Sequence, residues 1–159
     1  MKSRETENDP MRRTVIAVGA LLLGAGAVMA QQDVAVQQQN QMKEQGKHLY
    51  VTILKTSKGE IPYDQAAVDA AIAGLEAAVP KIPTVFATNP KQDVPNATFA
   101  SSQKIWQSKA DFDAKVPPVI KAIADVKGKI KDAASAKVAF DTVSAKCVDC
   151  HETYRVKLK

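Results

Sequence analysis

Residues 129–159 contain neither Gly nor Pro, and the pentapeptide Cys147-Val148-Asp149-Cys150-His151 lies inside them. An uninterrupted run of this kind, rich in Ala and Lys, reads as one helix from near Ser135 almost to the C-terminus. On a helix, side chains three apart project to neighbouring positions. A histidine directly after the second cysteine completes the C-x-x-C-H spacing of covalent c-type haem attachment. Both thiols can then reach the two vinyl groups, and the imidazole can stand under the iron. Whatever the rest of the chain folds into has to enclose a flat macrocycle beside the end of its last helix.

Three other readings of the cysteines are weaker. A disulfide across C-x-x-C inside a helix closes with difficulty. A redox dithiol of the thioredoxin kind needs a preceding strand and a βαβ pattern, and none is evident. A structural zinc site needs more ligands than two Cys and two His, of which His48 lies far away in sequence.

Upstream of the motif the pattern is helical throughout, with no sustained alternation of apolar and polar residues to suggest strands. Asp33 can cap a first helix over residues 33–57, with Val34, Met42, Leu49 and Ile53 near one stripe. Residues 58–62 read as a turn. Asp64 can cap a second helix, in which Val68, Ile72, Leu75, Val79 and Ile82 recur at helical spacing until Pro80 and Pro83 end it. Residues 84–102 form a long connection that includes the formal sequon Asn96-Ala97-Thr98. A third helix is expected over 103–130, with Val116, Ile120, Ile123 and Val126 on one face. Pro117-Pro118 must kink or restart it. Four amphipathic helices with one long connection predict an all-α fold, an antiparallel four-helix bundle, over residues 31–159.

Residues 1–30 stand apart. Met11-Arg12-Arg13 is a basic start, residues 15–28 are apolar or small, and Ala27-Val28-Met29-Ala30 ends in a cleavage-like pattern. This predicts a secretory signal peptide cleaved after Ala30, with Met11 as the true start, since residues 1–10 are polar and acidic. The stretch is short for a membrane span, so no stable insertion is expected after cleavage. The mature chain is then periplasmic, in a Gram-negative bacterium. Residues 1–30 carry four basic and three acidic side chains, so their loss lowers the formal charge from +5 to +4. The remaining charge is dispersed, without the basic cluster that nucleic acid would require.

Eight residues follow His151, so a ligand for the other iron face has to come from upstream. After the leader, Met42 and His48 are the candidates. Six helical residues separate them, about 240° of net rotation. Met42 lies on the apolar stripe, whereas His48 lies off it and reads as solvent-facing. Gly46, one turn after Met42, leaves room for a flat group against the helix backbone. The plainer alternatives are that Met42 is core filler and Gly46 a tolerated helix glycine.

From about residue 34 onward the chain resembles the cytochrome c′ family, the class II c-type cytochromes. Cys147-Val148-Asp149-Cys150-His151-Glu152-Thr153-Tyr154-Arg155 matches that family's C-x-x-C-H-x-x-Y-R ending, and Ala139-Phe140-Asp141-Thr142-Val143 resembles its lead-in. Residues 38–46 resemble its R-Q-x-x-(distal residue)-K-x-x-G segment. The resemblance implies one covalent haem c with His151 as the proximal ligand. It puts Met42 at the distal position, which carries a ligating Met in the low-spin branch. Gln39 matches the family's Gln. Gln38 stands where the family commonly has an Arg that pairs with a haem propionate. The propionates are then more solvated, or met by Lys43 or Arg155. The connection around 88–102 is expected to border the haem edge. Family members often form homodimers through the first two helices.

The function implied is one-electron transfer with redox partner proteins, and no enzymatic activity. Two alternatives stay open: a five-coordinate haem that binds nitric oxide or carbon monoxide, and a structural or stress-related haem protein.

Overall fold

The computed structural model describes residues 33–90 and 92–158. The expected leader over residues 1–30 lies outside them. The first helix, α1 (residues 33–57), has the predicted length but not uniform winding. Its middle, Lys47–Leu54, is wound as a π-helix, with bonds one residue wider than in an α-helix. It ends on Gly59, whose φ of +71° is the left-handed cap position that glycine adopts without steric penalty. Gly59 N donates to Thr56 O and Glu60 N to Lys55 O, which satisfies two of the last carbonyls.

Asp64 caps α2 (Gln65–Ala78), its carboxylate accepting from Ala67 N at 2.8 Å. Pro80 turns the chain through the 3₁₀ segment Val79–Lys81 into the short α3 (Ile82–Val85). The expected third helix is three pieces: α4 (Lys104–Gln107), α5 (Lys109–Ala114) and α6 (Val116–Val126). The proline pair is the reason for the last break. Pro117 and Pro118 sit in the first turn of α6, where their missing N–H groups have no intrahelical partner to lose. Ile120 also departs from expectation. Val119 takes its place in the buried stripe and Ile120 is 40% exposed, since the face restarts with the helix.

The final helix, α7 (Ala133–Tyr154), begins two residues earlier than expected. Asp132 is its cap and Ser135 its reciprocal partner: Ser135 N donates to the Asp132 carboxylate, and Asp132 N donates to Ser135 Oγ. As expected, it runs almost to the C-terminus. It stops at Tyr154 because Arg155–Lys157 turns extended as β2, pairing antiparallel with β1 (Phe99–Ser101) in the long connection. Sequence periodicity missed this ribbon, as three-residue strands carry almost no alternation to detect.

α1 packs on α2 and α7, and α6 packs on α7 and α2, giving the four-helix bundle. Ile53, Val68, Leu75, Val79, Ile105, Ile123, Ile130 and Val143 are the largest fully buried side chains among the described residues. Among the described residues no helix is long and apolar enough to cross a membrane.

Candidate haem site

Cys147, Cys150 and His151 stand on the last two turns of α7, all three half-buried. Both cysteines are free thiols packed against the core, so the disulfide reading does not describe this fold. Burial, and then the neighbouring Cys150, pushes the Cys147 thiol up to about 11. Burial also raises Cys150, against the pull of Lys115. The His151 imidazole is pushed down, first by burial and then by Arg155, which favours the neutral ring with a nitrogen lone pair to offer. Among the described residues no group of three or more His, Cys, Asp or Glu side chains converges, as a zinc site would require.

These three residues face a cavity of about 650 Å³ in the end of the bundle. That is within the range of about 300–1,000 Å³ typical of cofactor pockets. Met42, Gly46 and Leu49 of α1 form one wall, and Cys147, Cys150 and His151 of α7 form another. A Cβ built on Gly46 would meet no atom within 4 Å, so this wall is bare backbone facing open space. A broad apolar cavity, two thiols and an imidazole on one wall, and a thioether with a bare glycine turn on another make a donor set that fits haem.

His48 is not solvent-facing. It is half-buried and turned toward α2, where a Cβ on Gly74 would collide with its imidazole. The reason is that α1 and α2 pack along this face, and the missing side chain of Gly74 makes the space. His48 is not among the residues lining the cavity, whereas Met42 is.

Gln38 and Gln39 both line the cavity. Gln38 is 2% exposed and its amide is engaged with the long connection. Nε2 donates to Thr88 O at 2.9 Å and Val85 O at 3.4 Å, and Oε1 accepts from the Ser101 hydroxyl at 3.2 Å. The side chain thus ties α1 to the segment that covers the cavity, which includes Val94, Phe99 and Ser101. Gln38→Ala is expected to cost about 1–3 kcal/mol, the usual loss when buried partners are stranded, measured by urea unfolding.

Several supporting contacts carry no sequence signal, because they join residues distant in the chain. Lys115 reaches Asp149 inside the motif at 3.2 Å and also borders the cavity. Trp106 Nε1 donates to Phe86 O at 3.0 Å. The Tyr154 hydroxyl donates to Asp111, which holds the phenol up at about 12, and the ring packs edge-on against Phe112. Tyr154 therefore braces α7 immediately after His151.

Residues 33–155 match the family model described as Cytochrome C'. The chain is 63% identical over 149 residues to cytochrome c-555 of Bradyrhizobium diazoefficiens, covering 94% of this chain and all of that protein. It is 43% identical to cytochrome c-556 of Rhodopseudomonas palustris, covering 92% and 99% of the two chains. Among solved structures, it superposes on cytochrome c′ from Rhodopseudomonas palustris with a TM-score of 0.68 at 31% identity, covering 80% of this chain and 98% of that one. An NMR-validated structural model of oxidized R. palustris cytochrome c556 gives 0.67 at 35% identity, covering 80% and 99%. With its helical bundle, its terminal cavity and its cysteine pair, the chain belongs to the cytochrome c′ family, whose cofactor is covalently bound haem c.

Proposed function

We propose that this protein is a one-electron carrier of the periplasm, with haem c joined through Cys147 and Cys150 and its iron held between His151 and Met42. The observation that carries this reading is that Met42 and His151 line one cavity from different helices, with Gly46 leaving the wall next to Met42 bare. Bound haem supplies the redox centre that gains and loses the electron. The chain sets its properties. His151 is oriented by a helix end that Tyr154 braces through Asp111. With Met42 and His151 as its ligands, a bound iron would favour the reduced state and have a raised potential. Gln38 holds the covering segment in place, and Gln39 lines the cavity on the same helix. Leu49, Leu75, Val79 and Phe86 make the surroundings apolar, which limits water. On this reading the protein is a carrier and not an enzyme. The leader-like residues 1–30 support export, and the covalent motif suits a compartment outside the cytoplasm.

The visible spectrum of the reduced protein tests the ligand pair. Narrow, split bands are expected, the sign of two strong-field ligands. Broad high-spin bands would remove Met42 from the iron and favour the gas-binding alternative.

A further inference from the structure

Beside the end of the cysteine helix a shallow hollow of about 230 Å³ is lined by Phe99, Val148, His151, Glu152, Arg155 and Lys157. Phe99, His151 and Arg155 also line the cavity, so the hollow adjoins it at the end of the cysteine helix. The hollow has an apolar part and a charged part. Phe99 is 43% exposed and Val148 47% exposed. The Arg155 guanidinium lies over the Phe99 ring, 4.3 Å from its centroid, which preorganises the cation. Lys157 is paired across the ribbon with Phe99, and alternation along β2 puts Lys157 and Arg155 on one face.

The charge balance is positive. Lys115 occupies the carboxylate of Asp149, and Tyr154 engages that of Asp111. Glu152 is then the one acid in the lining, against Arg155 and Lys157. Neither cation is in an ion pair among the described residues. An exposed aromatic and a preorganised arginine inside a charged rim have the composition of interface centres. The small size suits a weak, transient complex.

We propose that this hollow docks a redox protein that presents an acidic contact patch, and that the electron crosses on the His151 side. The inference rests on the carrier reading above and adds the kind of partner and the face it uses. One electron moves, the partner is oxidised as this protein is reduced or the reverse, and no bond is made or broken.

The test uses the reduced holoprotein and two small oxidants of opposite charge, ferricyanide and tris(phenanthroline)cobalt(III), mixed by stopped flow at low salt. Lys157→Glu is expected to slow ferricyanide about 10-fold and to speed the cobalt complex, as steering by local charge requires. The difference should collapse at high salt, where the Debye length falls to about 3 Å at 1 M. Lys129→Glu makes the same change of net charge in the turn that precedes α7 and should alter either rate less than about 2-fold. Arg155→Gln, with its midpoint potential measured to correct for driving force, should follow Lys157→Glu in direction. Equal effects of Lys157→Glu and Lys129→Glu would overturn the docking assignment. Narrow bands in the reduced spectrum alongside that result leave the carrier reading standing, whereas broad bands fail the carrier reading itself.

Discussion

Met42→Ala is expected to convert the reduced protein from low spin to high spin, replacing narrow split visible bands with broad ones in essentially every molecule. Alanine at this position cannot reach a metal, and the described residues lining the cavity offer no second thioether and no histidine besides His151. His48, the other candidate in sequence, is directed at α2 against Gly74 and cannot substitute without moving that packing. The midpoint potential should fall, because a thioether opposite histidine favours the reduced metal; axial ligands span about 0.8 V across haem proteins. The variant should still fold. Met42 is half-buried, so its truncation is expected to cost about 1–2 kcal/mol, below the ~2–5 kcal/mol of a fully enclosed methionine. It should also bind carbon monoxide faster than the parent, measured by flash photolysis. An unchanged spectrum would remove the thioether from the iron.

The double substitution Cys147→Ala, Cys150→Ala is expected to have the largest effect on stability. With a working maturation system the parent should retain its colour in acidified acetone, and the variant should lose it and show a mass without porphyrin. A cavity of about 650 Å³ then has nothing covalently keeping it filled. Protein interiors are close-packed, so the end of the bundle should loosen. Losing a ligand held at a thousand times its Kd removes about 4 kcal/mol. At about 3–4 °C per kcal/mol for a domain of this size, Tm should drop by about 12–16 °C, read by circular dichroism at 222 nm. A variant that melts with the parent would mean that the four helices pack independently of the cofactor.

Local chemistry made much of this readable in advance. Asp64 is a helix cap in sequence and in structure, because capping depends on residues within one turn. The extent of α1 followed from its stripe and from Gly59. Met42 and Gly46 were selected by spacing, and both border the cavity. What stayed hidden depends on residues far apart. His48 gave no hint of its berth, since Gly74 lies on another helix. Gln38 read as a residue for the cofactor's edge, yet its amide is occupied by Thr88, Val85 and Ser101, which periodicity could not bring near it. The ribbon between Phe99–Ser101 and Arg155–Lys157 pairs segments more than fifty residues apart, and neither is long enough to announce itself.

The π-wound stretch Lys47–Leu54 gives α1 a phase as well as a length. Before it stand Met42 and Gly46, turned to the cavity; within it Leu49 is buried at the cavity wall and Ile53 is enclosed in the core. Were the same residues wound as ordinary α-helix, the extra residue that the wider turns absorb would swing one half of the helix against the other by roughly 100°. Either the thioether would leave the cavity wall or the aliphatic stripe would leave the interior. The helix can therefore vary at its two ends far more readily than in this middle, where one residue of slack keeps a cavity-facing half and a core-facing half in step.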